Sequence, residues 1–313
     1  MDEPADRTAN RVILLTGSSG YVGGRLMPLL EQQGASLRCL SRNPDKMRSL
    51  VRGTTQVVPG DVLDAVSLDQ AFRGVHTAYY LVHLMSGSKD FEKEDRQAAM
   101  NFAQAAQKAK VQRIIYLGGL GDDADPKLSP HLRSRHEVGQ ILRDSGIETI
   151  EFRASLVIGT GSLSFDLVMS LTDRLPIMLC PRWLTTPTQP IAVDDVLAYL
   201  LAALDLPAGA SCIFEIGCRD VTTYGGMIRE YSRQKGLRRW LISVPVLTPY
   251  LSSLWLALVT PTAFEVGRHL IEGLKNPTVV RDRTALDRFP IRPMGIEEAI
   301  RKAVASTPSQ RSA

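Results

Sequence analysis

The chain has 313 residues, 37 of them Lys or Arg and 33 Asp or Glu; its formal net charge is +4 and 44% of its residues are hydrophobic. This apolar fraction and balanced charge exclude an intrinsically disordered chain. The length suits one large α/β domain or two smaller ones. The sequence has no basic run with interleaved aromatic residues, so nucleic acid is not expected as a partner.

The first half alternates between short apolar runs and segments with helical spacing. The runs predict strands at 11–15, 36–40, 55–59, 77–82, 113–118 and 147–152, and the segments between them predict helices near 21–33, 43–51, 67–72, 91–110 and 134–145. Strands that are apolar throughout and separated by helices indicate a parallel sheet covered on both faces. We therefore expect an α/β fold with a Rossmann-like, doubly wound parallel sheet over residues 10–160.

The sharpest motif is the glycine-rich turn Thr16-Gly17-Ser18-Ser19-Gly20-Tyr21-Val22-Gly23, which follows the first strand and opens a helix. In this context Gly17 permits the tight turn, Gly20 permits close approach of the backbone to a pyrophosphate, and Gly23 permits close packing of helix and strand. The free N–H groups and the positive end of the helix dipole attract phosphate. The turn predicts a dinucleotide site.

The end of the second strand distinguishes between the two nicotinamide dinucleotides. NAD-binding folds normally carry an acidic residue about 20 residues beyond the first glycine. Here the chain reads Cys39-Leu40-Ser41-Arg42-Asn43-Pro44, with no carboxylate before Asp45. Arg42 can pair with a 2′-phosphate and Ser41 can add a hydrogen bond. The sequence thus favours NADP(H) over NAD(H).

The second half is less regular. Its periodicity predicts helices near 164–174, 193–204, 223–235 and 262–273 and short strands near 189–192 and 212–216. We expect a smaller, mostly helical substrate-binding lobe over 161–305, with the two strands returning to the main body. The tail after about residue 303 is expected to fray.

Four cysteines, Cys39, Cys180, Cys212 and Cys218, show no C-x-x-C spacing, and the five histidines show no metal-ligand spacing. We expect small buried thiols in a reducing compartment and no metal site. The first ten residues, MDEPADRTAN, are polar and mixed in charge, unlike a signal peptide. A cytoplasmic location is expected, with peripheral membrane contact as an extension discussed below.

With these motifs the sequence resembles the atypical short-chain dehydrogenases/reductases, in particular the NmrA-like NAD(P)-binding family, and is similar to the nucleotide-binding accessory subunit of respiratory complex I. The resemblance covers roughly residues 10–240, densely over the first 160. It is carried by the Thr16–Gly23 turn, Gly60-Asp61-Val62, Tyr80-Leu81-Val82-His83, Tyr116-Leu117-Gly118-Gly119-Leu120-Gly121, Phe152-Arg153 and Gln189-Pro190-Ile191-Ala192-Val193-Asp194-Asp195.

The resemblance implies a set of cofactor contacts in addition to the turn and to Ser41 and Arg42. Asp61 and Val62 would lie against the adenine, and Leu81, Val82 and His83 would pass along the middle of the cofactor. Gly118 and Gly119 would lie near the nicotinamide.

The catalytic residues of the superfamily are where this chain departs from it. Members usually carry Ser or Thr after the fifth strand and Tyr-x-x-Ser-Lys on the next helix; here the strand ends in Gly118-Gly119, and the helix reads His131-Leu132-Arg133-Ser134-Arg135. Arg135 retains a positive charge that could hold the nicotinamide ribose. His131 and His83 are the candidate proton donors, because imidazole titrates near neutral pH. For both, a structural role remains the alternative.

Residues 240–264, WLISVPVLTPYLSSLWLALVTPTAF, contain no charged side chain, and a second apolar patch covers 175–184. Prolines leave an unbroken run too short for a membrane span. Two interpretations stay open: core of the smaller lobe, or a pocket wall or membrane-docking surface for a quinone, isoprenoid or lipid.

Two functions are compatible with these residues. The first is an NADP(H)-dependent oxidoreductase acting on an apolar carbonyl or quinone-like substrate. The second is a non-catalytic NADP(H)-binding redox sensor or a structural subunit of a larger complex. Nucleotide-sugar epimerases share the fold but depend on the missing Tyr/Lys pair, so they are disfavoured. The oligomeric state is left open.

Overall fold

The computed structural model describes residues 11–84, 90–244 and 274–306. Its first half follows the predicted order of strands and helices, and all six strands and five helices predicted there are confirmed. They are β1 (Val12–Thr16), α1 (Tyr21–Gln32), β2 (Ser36–Ser41), α2 (Pro44–Arg48), β3 (Gln56–Pro59), α3 (Ala65–Ala71), β4 (Val75–Tyr80), α4 (Phe91–Lys108), β5 (Arg113–Gly119), α5 (Pro130–Asp144) and β6 (Glu148–Ala154).

The second half adds short strands to the predicted helices. The elements are β7 (Val157–Ile158), α6 (Leu163–Arg174), β8 (Ile177–Cys180), a 3₁₀ turn (Arg182–Thr185), β9 (Pro187–Thr188), β10 (Ile191–Ala192), α7 (Val193–Ala202), β11 (Cys212–Ile216), β12 (Thr222–Thr223), α8 (Tyr224–Gln234), β13 (Trp240–Ser243), α9 (Thr284–Arg288) and α10 (Ile296–Ala305). The helix predicted near 262–273 lies outside the described residues.

The large sheet has seven strands in the order β11-β6-β5-β4-β1-β2-β3. β1 pairs in parallel with both β2 and β4, so that Leu15 lies opposite Cys39 and Thr16 opposite Tyr80. The strand order reverses between β1 and β4, and doubly wound sheets bind ligands beyond the carboxyl ends of the strands at such a point. The predicted Rossmann-like fold is confirmed.

The short strands form three separate pairs: β7 with β10 and β8 with β13 in parallel, and β9 with β12 antiparallel. The strand predicted at 212–216 is β11, at the edge of the large sheet. Of the strand predicted at 189–192, only Ile191–Ala192 forms a strand, β10, and it pairs with β7 instead of joining the large sheet.

The chain divides into two compact units. The first comprises the residues up to Gly118, Ser134–Phe152 and Leu197–Phe214; the second comprises Gly119–Arg133, Arg153–Val196 and the residues from Glu215 on. Each unit has its own hydrophobic cluster. The first cluster includes Leu14, Phe72, Tyr80, Phe102 and Tyr116, and the second includes Phe165, Met178, Met227, Tyr231 and Ile300.

The helices begin in two different ways. The Asn43, Asp64 and Thr223 side chains accept hydrogen bonds from backbone N–H groups at the starts of α2, α3 and α8. By contrast, α1 begins at Gly20, with no capping side chain and no acidic residue in its first turn. The first N–H groups of α1 thus remain available to an anion.

No helix among the described residues is long and apolar enough to cross a membrane.

Candidate functional site

The turn between β1 and α1 is built so closely that it requires glycine. Gly17 has φ +73°, and a Cβ atom there would lie 2.4 Å from the Leu81 carbonyl oxygen. A Cβ atom at Gly23 would lie 2.2 Å from the Gly17 oxygen. The turn is closed by the Gly20 N–H, which donates to the Gly17 carbonyl at 2.9 Å. The bare backbone and the uncapped helix start fit the pyrophosphate of a dinucleotide.

The end of β2 presents an unengaged cation. The Arg42 side chain is exposed and makes no ion pair or hydrogen bond with any residue of the described ranges. Nearby Asp45 is paired with Arg48. The Ser41 side chain is buried, and its Oγ accepts a hydrogen bond from the Asn43 N–H at 3.1 Å. Arg42 is thus available to an anion beside β2.

The loop after β3 is held from α4. Val62 is buried, and the Asp61 carboxylate accepts the Leu63 N–H at 3.0 Å. The Asn101 amide donates to the Val62 and Leu63 carbonyls, each at 3.1 Å. Asn101 therefore holds Val62, one of the two residues that the resemblance places against the adenine, together with the following Leu63.

His83, beyond the end of β4, lies beside a buried carboxylate. Its Nε2 atom is 3.9 Å from Oδ2 of Asp95, which is 1% exposed. Asp95 also accepts hydrogen bonds from the Leu84 N–H at 3.1 Å and from the Ser134 hydroxyl at 2.8 Å. One carboxylate of α4 thereby fixes the chain beyond β4 and the first unit's part of α5.

Sequence reasoning missed Asp95, although the helix pattern contained a signal. Asp95 lies four residues after Phe91 and seven before Phe102, within the apolar stripe of α4. A charged residue in a buried stripe needs a partner, so its position alone indicates a nearby donor.

Arg135 is buried and ties two strand ends together. Its guanidinium donates to the Val82 carbonyl at 3.1 Å and to the Leu117 carbonyl, and it stacks 4.8 Å from the centre of the Tyr116 ring. Tyr116 in turn donates its hydroxyl to the Arg135 carbonyl at 2.8 Å. The positive charge is therefore fixed at the carboxyl ends of β4 and β5.

The space around Gly118 is taken by two larger side chains. A Cβ atom at Gly118 would lie 3.1 Å from the Tyr116 ring and 3.2 Å from Oε1 of the fully buried Glu151. Glu151 pairs with Arg143, and a Cβ at Gly139 would lie 2.4 Å from its Oε2. A side chain at Gly118 would therefore require Glu151 or Tyr116 to shift.

The second unit contains a mostly apolar cavity that includes His131 in its wall. It encloses about 860 Å³ of space outside the protein atoms, its open mouth included. Ligand pockets commonly have this size, with an apolar lining and a few polar groups. The lining residues are Gly119, Leu120, His131, Leu132, Ala154, Ser155, Leu156, Ser164, Leu167, Val168, Leu171, Trp183, Tyr224, Ile228, Leu274 and Thr278.

Four hydroxyl groups are linked at this cavity. Those of Ser155, Thr188 and Thr278 lie 2.7–2.9 Å from one another. Burial raises the pKa of Tyr224 to about 12, and hydrogen bonds with Thr188 and Thr278 oppose this shift. These hydroxyls form a polar patch beside an otherwise apolar wall. Each of them can donate or accept a hydrogen bond.

The start of α5, which carries His131, is anchored by a distant residue. The Asn276 side chain accepts the Ser129 N–H at 3.0 Å and donates to Asp125 and to the Lys127 carbonyl. No local sequence pattern indicates this contact, because nearly 150 residues separate Asn276 from Ser129.

The sequence-predicted residues fall in both units. The first unit brings together the turn, Ser41 and Arg42, Asp61 and Val62, Leu81 to His83, Gly118 and Arg135, whereas Gly119 and His131 line the cavity of the second. Of the 240–264 stretch, residues 240–243 form β13; residues from 245 on lie outside the described ranges. In the 175–184 patch, Met178 and Cys180 are buried, whereas Ile177 and Leu179 are exposed.

Comparison with known proteins agrees with this geometry. Residues 17–155 match the family model described as NAD(P)H-binding. A ceramide reductase from Caulobacter vibrioides is 25% identical over 268 residues, which is 83% of either chain. A 3-beta-hydroxysteroid dehydrogenase from Mycolicibacterium neoaurum is 32% identical over 127 residues, 37% of this chain and 34% of the other.

Solved structures show the same fold. Triphenylmethane reductase of Citrobacter sp., complexed with NADP(H), superposes with a TM-score of 0.74 at 16% identity, covering 93% of this chain and 99% of that one. The Bordetella bronchiseptica enzyme WbmG, complexed with NAD, has a TM-score of 0.72 at 18% identity, with 96% and 95% covered. Residues 17–155 therefore match the sequence pattern of an NAD(P)H-binding domain, and the chain shares its fold with these dinucleotide-binding enzymes.

Proposed function

We propose that the chain is an NADP(H)-dependent oxidoreductase that reduces an apolar carbonyl or quinone-like substrate. The observation that carries the proposal is the cavity of the second unit, which combines an apolar lining with His131 and a hydroxyl cluster. The family match over residues 17–155 and the named relatives support only the coarser statement, that the chain binds a nicotinamide dinucleotide and is similar to reductases and dehydrogenases.

The first unit supplies the cofactor-binding residues in this proposal. Gly17 to Gly23 hold the pyrophosphate against the start of α1, and Arg42 with Ser41 holds the 2′-phosphate. Arg135 holds the nicotinamide ribose, and the segment Leu81–His83 contacts the middle of the cofactor. When bound, the nicotinamide supplies a hydride.

His131 is the proposed proton donor. A carbonyl that accepts hydride also needs a proton on its oxygen, and imidazolium is a competent acid near neutral pH. His131 occupies the place of the superfamily's tyrosine on α5 and lines the cavity. His83, beside Asp95, is the second candidate. A quinone depends less on such an acid, because its reduced form is a more stable anion.

The substrate class follows from the lining. Eleven of the sixteen lining residues are apolar or glycine, so a long aliphatic, isoprenoid or steroid-like body fits better than a sugar. Two relatives are named for lipid substrates, a ceramide and a 3-beta-hydroxysteroid. These names support a lipid ketone as the first class to assay.

One observation favours a second function, a non-catalytic NADP(H)-binding protein. Gly118 carries no hydroxyl, and Tyr116 and Glu151 occupy the space of a serine side chain there. A chain that lost both superfamily hydroxyls could bind nucleotide as a redox sensor or as a subunit of a complex.

The decisive experiment measures NADPH oxidation with a long-chain aliphatic ketone, a short-chain ketone and a quinone. We expect turnover with the long-chain ketone and the quinone. Replacing His131 by Gln decreases kcat for the ketone by about a hundredfold or more, and less for the quinone. His136→Gln, on the same helix but outside the cavity lining, is the matched control. NADPH binding without oxidation by any acceptor would establish the second function instead.

A further inference from the structure

The pair of strands β8 and β13 places four large apolar side chains on one exposed face. The strands are parallel and in register, with Ile177 opposite Trp240 and Leu179 opposite Ile242. These four side chains are 58%, 70%, 48% and 48% exposed, respectively. They are called the β8–β13 face below.

Side chains alternate along both strands between an exposed face and a buried face, so all four apolar side chains lie on the same, exposed face. Met178 and Cys180 point the other way and are buried in the second unit's hydrophobic cluster, against which Leu241 also packs. A half-buried sheet normally presents polar residues to water on its outer side. Here the outer residues at these positions are all apolar. Directly opposite side chains lie about 5 Å apart, so the four form one continuous patch.

Exposed cations lie near the face in the chain. Arg229, Lys235 and Arg238 are exposed and make no ion pair with any residue in the described ranges. Lys235 and Arg238 lie five and two residues before the first residue of β13, Trp240. Burial raises the pKa of the Cys180 thiol and the charge of Arg229 opposes this shift, which places Arg229 beside β8.

The nearest carboxylates along the chain are already engaged. Asp173 accepts a hydrogen bond from the Tyr231 hydroxyl at 3.0 Å, and Glu230 is paired with Arg233 at 2.8 Å. Glu230 is thus neutralised by Arg233, whereas Asp173 keeps its negative charge and is outnumbered by Arg229, Lys235 and Arg238.

We propose that the β8–β13 face docks on the surface of an anionic lipid bilayer. An exposed Trp between aliphatic side chains suits the headgroup boundary, and the three cations match anionic headgroups. Docking there would bring the chain to a membrane-resident substrate; that purpose rests on the proposed function, whereas the docking itself does not.

The test uses flotation of the purified full chain with vesicles of phosphatidylglycerol and phosphatidylcholine, without nucleotide or acceptor. We expect binding to the anionic vesicles that weakens with salt. The double change Lys235→Glu and Arg238→Glu decreases partitioning at least about tenfold, as does Trp240→Ser with Ile242→Ser. Leu50→Ser with Val66→Ser, which removes exposed apolar residues of the first unit, leaves partitioning unchanged.

A spectroscopic readout locates the contact. Vesicle addition shifts the tryptophan emission to the blue in the wild type, and Trp240→Phe removes this shift while keeping the apolar ring. Turnover of a soluble quinone by the same variants stays at the wild-type level, so a failure of docking is separable from a failure of catalysis.

Three results would overturn the proposal. The first is no partitioning into anionic vesicles. The second is a dimer that the two serine substitutions dissociate, which would make a second copy the occupant. The third is protection of Trp240 from acrylamide in vesicle-free solution, which would show that the chain itself covers the face.

Discussion

At Gly23 the turn between β1 and α1 can form only because glycine has no side chain. Gly23 lies inside α1, where alanine would ordinarily be the more stable residue. A Cβ atom there would nevertheless fall 2.2 Å from the Gly17 carbonyl oxygen, so any side chain must displace the turn between β1 and α1.

We therefore expect Gly23→Ala to weaken NADPH binding by about tenfold to a hundredfold, because overpacking costs about 1–3 kcal/mol. Isothermal titration calorimetry measures the effect. Gly53→Ala is the control, because no atom lies within 4 Å of its virtual Cβ. Equal NADPH affinity in both variants would contradict a role for this turn in NADPH binding.

Arg42 tests the choice of dinucleotide. Losing a charge-assisted bond to a phosphate costs about 1.5–3 kcal/mol, so Arg42→Ala should weaken NADPH binding by about tenfold to a hundredfold and leave NADH binding unchanged. Fluorescence titration of both reduced dinucleotides gives the ratio. Arg48→Ala, whose side chain pairs with Asp45, serves as the control. A wild-type preference for NADH would contradict the role of Arg42.

The buried cysteines should be chemically inert. Burial raises the pKa of Cys39 and of Cys218 to about 12. At about pH 8 each then carries roughly a thousandfold less thiolate than an ordinary thiol. Mass spectrometry of native protein alkylated with iodoacetamide should find Cys212, which is partly exposed, modified long before either. Early labelling of Cys39 would show that β2 opens readily.

Among the elements, the sequence predicts best those whose partners are local. β1, the turn and α1 could be located to within a residue or two, since apolar run, glycines and helical spacing follow one another directly. β8 and β13 could not be predicted, because each is a four-residue apolar run whose strand conformation depends on a partner about 60 residues away.

The candidate site shows the same division. Gly17, Gly23 and Arg42 were predicted from spacing alone. The cluster of Ser155, Thr188, Thr278 and Tyr224 joins four segments, so no single stretch of sequence indicates it. Asp95 is intermediate: its place in the apolar stripe of α4 can be recognised from the sequence, but its hydrogen-bond partners cannot.

Asp95 makes a sharp test of how α4 supports its neighbours. Asp95→Ala leaves the buried Leu84 N–H and Ser134 hydroxyl without their acceptor, so the free energy of unfolding should fall by at least about 2 kcal/mol. Asp95→Asn, which can still accept one bond and donate the other, should lose less. Urea denaturation measures both variants; Glu94→Ala, one residue earlier on α4, is the control. Equal stability of Asp95→Ala and wild type would refute the supporting role.

At the scale of the whole molecule, the division into two units with separate hydrophobic clusters predicts localised effects of nucleotide. A ligand at about 100 times its Kd stabilises the folded state by about 2.7 kcal/mol. NADPH should therefore raise the unfolding midpoint by several degrees and slow amide exchange at residues 16–24. Calorimetry and hydrogen exchange measure these effects. At the same NADPH concentration, Gly23→Ala should reduce both effects, because its weaker binding stabilises the folded state less. Slowed exchange elsewhere but not in the turn would contradict the proposed position of the site.

The packing around Glu151 has a consequence for how this chain can change over generations. A Cβ atom at Gly118 or at Gly139 would press on the Glu151 carboxylate, and Arg143 neutralises it. A mutation that introduced serine at position 118 would require Glu151 or Tyr116 to shift, and one that removed Glu151 alone would strand a largely buried cation. A hydroxyl after β5 is thus reached only through less stable intermediates, so lineages that carry this glutamate are expected to keep glycine at position 118.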